Sequence, residues 1–350
     1  MDISYSIVIR TLGNAGDKYK RLLQSIAKQT IKPEEIIVAI PKGYSVDFQL
    51  GNERFVYCEK GMVTQRAAGI KAAKSEYILV VDDDIEFDED MIEMLYLYLV
   101  ENNLDCCLPI QGQPVSLEDK TIDLRYPLKV RLRNGFTGQM LTSRRKSKYL
   151  DVLNKTAGHK VYITSNELDR CYLCTTACFQ CFFIKTGVAK SAHFEDETWL
   201  ENGRLTSYSA FDEPVFFSKL NRNGLRMAYA LRVRYRHLDA QAGHTTRSRL
   251  EDKRIRYYSI ARNRTIYWYK FIWKYSKGFV ERIETMICGA YGLVNYMLFT
   301  TAINLYPKHW SALRALYMGY KDAWGYIRNN KIAPEIGQKQ QKVALHEVQS

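Results

Sequence analysis

Two stretches of this chain, "EEIIVAI" (34–40) and "EYILVV" (76–81), run almost continuously apolar. A strand with one face in water alternates apolar and polar residues, whereas a strand covered on both faces has no such constraint. Both runs therefore predict strands inside a sheet with helices on either side. Their surroundings agree. "YSIVIRT" (5–11) and "RFVYCEK" (54–60) are further β-rich runs. Helical periodicity lies between them: Tyr19, Leu22, Leu23 and Ile26 within 18–29, an alanine-rich helix after a loop in 61–74, and 88–102 with acids in its first turn. Strands alternating with helices of this length imply an α/β fold around a mostly parallel sheet.

In such sheets ligands bind beyond the carboxyl ends of the strands. The run "YILVVDDDIE" (77–86) ends a buried strand in three adjacent acids, Asp82, Asp83 and Asp84. Such a cluster can simply be solvated. Asp82 and Asp84, however, are two residues apart in the extension of a strand and can turn to one side. Two convergent carboxylates suit a hard divalent cation, Mg²⁺ or Mn²⁺, which would relieve their repulsion and hold the diphosphate of a nucleotide.

Composition narrows the class. With 350 residues, 46% of them apolar, the chain can bury a large core, and 25 tyrosines and 14 phenylalanines argue against disorder. The net charge of +13 suggests a polyanionic partner, or else a basic surface with no specific partner. The opening "MDISYSIVIR" carries an early acid and enters a strand directly, so no signal peptide is expected and the eight cysteines are expected as thiols. Four of them form C-x2-C-x3-C-x2-C at Cys171, Cys174, Cys178 and Cys181. Three residues between the pairs is too short for the usual zinc spacing, so buried or half-buried thiols are favoured over a metal. "CFQCFFIK" reads onward as a strand.

"SIVIRTLGNAGDKYKRLLQSIAKQTIKPEEIIVAI" followed by "GMVTQRAAGIKAAKSEYILVVDDDIEF" resembles the nucleotide-sugar-binding half of family 2 glycosyltransferases, inverting enzymes of GT-A fold. The resemblance covers about 4–104 and resumes around 178–240. It implies a GT-A-type, mostly parallel sheet flanked by helices, to which composition adds the expectation of a carboxyl-terminal helical appendage. It also implies a nucleotide-diphosphate sugar donor. Thr11 and Arg10 would lie near the nucleotide and Arg66 near the donor. Asp82 and Asp83 would meet ribose or metal-bound water, and Asp84 would ligate the metal. The family usually places an acid after the second strand; here "VAIPKG" has none, so the base is not assigned to uracil.

"FDEPVFFSKLNRNG" (211–224) opens a helix with two acids, Asp212 and Glu213. Asp is a favoured N-cap and Pro214 fits just inside the helix start, so capping alone would account for the pattern. The resemblance implies instead that one carboxylate is the general base, and by the same resemblance Asp212 is favoured over Glu213. His237, after the basic strand "RVRYRH", is a metal or diphosphate ligand by the same resemblance; His244 lies further from the pattern. Residues 112–165 are basic and polar, either a solvated insertion or a lid or acceptor-binding loop.

Three regions follow: a nucleotide-sugar-binding part at 1–110, an acceptor-binding and catalytic part at 111–245, and a helical part at 251–335. The third is rich in Lys, Arg and aromatic residues and includes a charge-free run at 285–307. That run predicts a helical hairpin or interfacial helices. The whole region predicts peripheral attachment to an anionic membrane on its cytoplasmic face, or self-association, rather than nucleic-acid binding. The tail beyond about 335 is expected to fray. The leading function is metal-dependent glycosyl transfer to a glycan or lipid-linked acceptor in surface polysaccharide synthesis. The alternatives are a nucleotidyltransferase of related fold and a non-catalytic sugar-nucleotide or membrane-binding module.

Overall fold

A computed structural model describes residues 3–116, 118–124, 127–162, 165–205, 210–238 and 248–329. His244 and the tail from 335 lie outside these residues. The strands are β1 (Tyr5–Arg10), β2 (Glu35–Pro41), β3 (Glu53–Cys58), β4 (Tyr77–Asp82), β5 (Ile85–Phe87), β6 (Cys106–Gln111), β7 (Thr121–Asp123), β8 (Met140–Ser143), β9 (Tyr149–Asn154), β10 (Gly158–Tyr162), β11 (Ser165–Glu167), β12 (Cys171–Cys174), β13 (Cys181–Lys185) and β14 (Met227–His237). The helices are α1 (Asp17–Lys28), α2 (Met62–Ala72), α3 (Met91–Glu101), α4 (Leu128–Phe136), α5 (Thr186–Lys190), α6 (Asp212–Arg222), α7 (Arg249–Tyr267), α8 (Gly278–Ala302) and α9 (Trp310–Asn329).

Among the described residues, twelve strands form one mixed sheet in the order β3-β2-β1-β4-β13-β6-β14-β12-β9-β10-β8, with β5 added to β14. The first four strands pair in parallel. β13 runs against both β4 and β6, and β14 is parallel to β6, so β6 and β14 point the same way as β1–β4. The carboxyl ends of β1, β4 and β14 thus share one edge.

The continuous apolar runs are covered on both faces. In β4, Ile78 and Val80 enter one core with α2 and α6, while Leu79 and Val81 enter another with α1 and α3. The same alternation separates the clustered cysteines. Cys174 belongs to the first core and Cys181 to the second, Cys171 is half-buried, and Cys178 is exposed. Sulfurs on opposite faces of a sheet cannot share a metal. "CFQCFFIK" becomes a strand only from Cys181; Cys178 lies in the preceding turn.

The carboxyl-terminal helices are built into the body. Asn263 of α7 donates to the carbonyls of Leu200 and Ala210, and Arg262 donates to Trp199 and Asn202. Arg264 is fully buried and donates to four backbone carbonyls, of Thr137, Gly138, Thr156 and Ala157, at 2.9–3.2 Å. Burial lowers its pKa to about 10, since no carboxylate offsets the desolvation. This one side chain pins two segments of the basic 112–165 stretch to α7. Removing it takes a donor from all four carbonyls; Gly138 keeps the Thr156 hydroxyl, and each group left unsatisfied costs about 1–3 kcal/mol. Arg264→Met is therefore expected to lose about 3 kcal/mol or more, read as a lower denaturant midpoint. An unchanged midpoint would mean that water replaces the guanidinium.

The charge-free run 285–307 takes only one of the two forms expected of it. It is no hairpin: α8 is continuous from Gly278 to Ala302, and the chain turns only afterwards. Gly289 and Gly292 allow close packing of the helix against the body.

Candidate active site

The shared strand edge gathers the acids. Asp82 is the last residue of β4, and β1 places Arg10 directly beside it in register. Arg10 donates to Asp82 Oδ1 through Nε at 3.2 Å and Nη2 at 3.0 Å. Arg66 projects from α2 onto the same carboxylate at 3.0 Å and also contacts Asp212. Its guanidinium lies 4.5 Å from the Phe179 ring centroid. One buried arginine thus joins α2, the end of β4 and the start of α6. Burial works to raise the Asp82 pKa, but the two arginines outweigh it and the carboxyl titrates below its ordinary range.

Asp83 and Asp84 form the turn between β4 and β5. The Thr11 hydroxyl donates to Asp83 Oδ2 at 2.5 Å, and Gln65 holds the Thr11 carbonyl at 2.7 Å. Burial raises Asp83 to about 6; Arg10 and Thr11 act against that, and the flanking aspartates add to it. Asp84 faces His237, its Oδ2 lying 3.2 Å from Nε2. The short strand β5 makes that meeting possible. It pairs antiparallel with β14, setting Ile85 opposite His237, and Leu238 N donates to the Asp84 carbonyl at 2.7 Å.

Asp212 and Glu213 occupy the first turn of α6, but neither sits at the capping position. That place falls to Phe211, held at φ 74°. A positive φ at a bulky residue is strained and needs a surrounding structure that enforces it. The twist leaves Asp212 as the first helical residue, with its carboxylate against Arg66. Burial raises the Asp212 pKa, with Arg66 and Arg10 opposing. Among the described residues Glu213 makes no ion pair with an arginine, although the Arg66 charge still acts on it. Its Oε1 lies 3.6 Å from Cys178 Sγ, and burial with the Asp212 charge pushes its pKa up to about 7.

Glu213 and Asp212 line a cavity of about 370 Å³ together with Arg66 and Asp82. The lining also includes Asn134, Gln139 and His159 of the basic stretch and Ile260 of α7. A purely solvated insertion is thereby set aside for these residues. His159 was not legible in the sequence. Its Nδ1 lies 3.2 Å from Asp151 Oδ2. Burial depresses its pKa, but Asp151 more than compensates, and the imidazole titrates above its usual value. A lone histidine in a polar insertion carries no periodicity or spacing that would single it out.

The sequence-predicted residues therefore meet at one edge, with Glu213 next to Asp212 in the cavity lining. Arg10, Arg66, Asp82 and Asp212 form a closed ionic network. Thr11 with Asp83, and Asp84 with His237, flank it. Among the described residues no three His, Cys, Asp or Glu side chains converge as a metal cage. Asp82 is engaged by two guanidiniums, while Asp84 and His237 present an oxygen and a nitrogen side by side. Such a pair fits a cation that takes its remaining ligands from water and substrate phosphates.

Residues 51–156 match the family model described as Glycosyl transferase family 2. The resemblance read from the sequence is thereby borne out over 51–104, and the match also takes in most of the basic stretch, which that resemblance leaves outside the family core. No curated protein sequence matches the chain. Similar solved structures include crystal structures of S. aureus TarS. Its fragment 1–349 in complex with UDP-GlcNAc aligns with a TM-score of 0.46 and 13% identity, over 94% of this chain and 93% of that one. The same fragment in complex with UDP gives 0.40 and 14%, over 94% and 92%. Likeness at this level leaves the reading of the site to this chain's own residues.

Proposed function

We propose that this chain is an inverting glycosyltransferase that moves a sugar from a nucleotide-diphosphate donor to an acceptor hydroxyl in the cavity. The observation that carries the reading is the convergence of Asp82–Asp84, Arg10, Arg66 and the Asp212–Glu213 pair at the carboxyl edge of parallel strands, within and beside the segment matched by the family. Thr11 and Asp83 would meet the nucleoside. Asp84 and His237 would hold a divalent cation; an imidazole among the ligands favours Mn²⁺ over Mg²⁺. When bound, that cation would offset charge on the leaving diphosphate.

The protein's own groups perform the remaining work. Arg66 and Arg10 are fixed by Asp82 before any ligand arrives, so they present positive charge without reorganisation. Glu213 is the better candidate for the base. Asp212 is locked to Arg66, whereas Glu213 faces the cavity and titrates near 7, where a base and its conjugate acid are both accessible. It would take the acceptor proton as the hydroxyl attacks the anomeric carbon from the side opposite the diphosphate. His159 lines the same cavity, suited to donate a hydrogen bond to the acceptor. The acceptor is proposed to be a glycan or a lipid-linked saccharide.

The test is a panel of nucleotide sugars with and without Mn²⁺ and Mg²⁺, read as thermal stabilisation and donor hydrolysis. Asp84→Asn should keep the fold and lose cation-dependent stabilisation by donor. A donor response identical with and without chelator would sink the metal assignment. Stabilisation with no hydrolysis or transfer under any condition would favour a non-catalytic binding module. Pyrophosphate release from a sugar phosphate and a nucleoside triphosphate would favour a nucleotidyltransferase.

A further inference from the structure

The carboxyl-terminal helices carry a surface that the catalytic reading does not use. In α8 the residues turned toward the body are Thr285, Gly289, Gly292, Tyr296 and Thr300. Those turned outward include Phe279, Val280, Met286, Ile287, Val294 and Leu298, each 44–79% exposed. A surface helix is ordinarily built the other way round. The inversion has a local cause. A Cβ on Gly289 would overlap the Trp268 ring, and one on Gly292 the Thr156 carbonyl, so close backbone contact holds the helix instead of large apolar side chains.

Helix α4 extends the same face. Leu128, Leu132 and Phe136 are each more than half exposed. Phe136 meets Phe299 of α8 with ring centroids 5.7 Å apart, and the Tyr291 hydroxyl donates to the Gly135 carbonyl at 2.6 Å. Segments some 150 positions apart in sequence thus present one contiguous apolar surface, as the separation of 156 for that hydrogen bond records. Surfaces of this kind mark interaction sites.

Charge selects the occupant. Helix α4 carries Lys129, Arg131 and Arg133 and no acid. Lys274, Lys277 and Arg282 are exposed at the amino end of α8, and Lys308 and Arg314 beyond its carboxyl end. The acids at the start of α8, Glu281 and Glu284, are paired with Lys155. A second copy docking through this face would set one cationic fringe against another. An anionic bilayer accepts apolar side chains and cations together. No helix among the described residues is long and apolar enough to cross a membrane, and the inner face of α8 is already covered by protein.

We propose that the outward faces of α8 and α4 form a docking surface for an anionic lipid bilayer, with α8 lying along the boundary between headgroups and acyl chains. The backbone at Gly138 and Thr156, against which α8 rests, continues directly into the cavity wall at Gln139 and Ala157. The cavity is then one layer of chain away from the docking surface, within reach of a lipid-borne acceptor.

Cosedimentation of the full chain with phosphatidylcholine vesicles, with and without phosphatidylglycerol, tests this apart from turnover. Binding should require the anionic lipid and weaken with salt. Val280→Asp combined with Ile287→Asp should lower vesicle affinity at least about tenfold with an unchanged melting temperature, because both side chains are exposed. Lys129→Glu with Arg133→Glu should lower binding to phosphatidylglycerol vesicles. The proposal fails if the wild-type chain ignores both vesicle types, or if the double aspartate variant binds like wild type. It also fails if the wild type sediments as a dimer that those aspartates dissociate and shows no lipid binding.

Discussion

Glu213→Gln is expected to lower turnover by about 10²–10⁴-fold while donor affinity stays close to that of the wild type. The amide keeps the shape of the side chain and its place beside Cys178 but cannot accept a proton. The wild-type rate should rise with pH along a limb centred near 7, set by burial of Glu213 and the neighbouring Asp212 charge. In the variant that limb should vanish. The same raised pKa affects stability with a definite sign. A carboxyl whose folded pKa stands above its ordinary 4.5 favours the folded state below that value, and the contribution is lost as pH rises through about 7. Asp212→Asn should behave differently, because it removes a partner of buried Arg66 and so alters donor binding and stability as well as rate. Full activity in Glu213→Gln, with a rate loss confined to Asp212→Asn, would return the role of base to Asp212.

Arg66→Met should cost about 3–5 kcal/mol of folding stability and abolish detectable transfer, since removing one member of a buried ion network strands the others. Asp82 would keep Arg10, but Asp212 would lose its contact with Arg66. The loss should shrink on acidification. Arg10 and Arg66 hold the folded Asp82 carboxyl below its ordinary range, so its contribution is present above that range and disappears as pH falls through the folded value. Denaturant midpoints at neutral and acid pH read this directly. A variant as stable as wild type at neutral pH would mean that Asp212 takes up a proton at little cost and that Arg66 is not a structural hub.

Much of the amino-terminal half was legible because its signals are local. An apolar run long enough for one buried strand, a helical repeat and a Pro or Gly stop each lie within a dozen residues, and β1, β2, β4, α1 and α3 fall within a few positions of the sequence reading. The acidic turn at Asp82–Asp84 was legible for the same reason: charges that end a buried strand stand out against their neighbours. β5 was not, because three residues carry no period of their own and become a strand only by pairing with β14.

By itself, then, the sequence determined the α/β alternation, the covered sheet and the acidic turn Asp82–Asp84 at its carboxyl edge, since each follows from short-range pattern and strand direction; that Arg10, Thr11, Arg66, Asp212 and Glu213 would join it there was implied by the resemblance to family 2 glycosyltransferases. Only the tertiary structure decided how those residues divide their work. It ties Asp82 and Asp212 to arginines from other elements, leaves Glu213 facing the cavity, brings His159 and Ile260 into its lining, and turns the apolar side of α8 outward. Each outcome depends on contacts between segments tens to more than a hundred residues apart, where desolvation and close packing act on neighbours that no local pattern encodes.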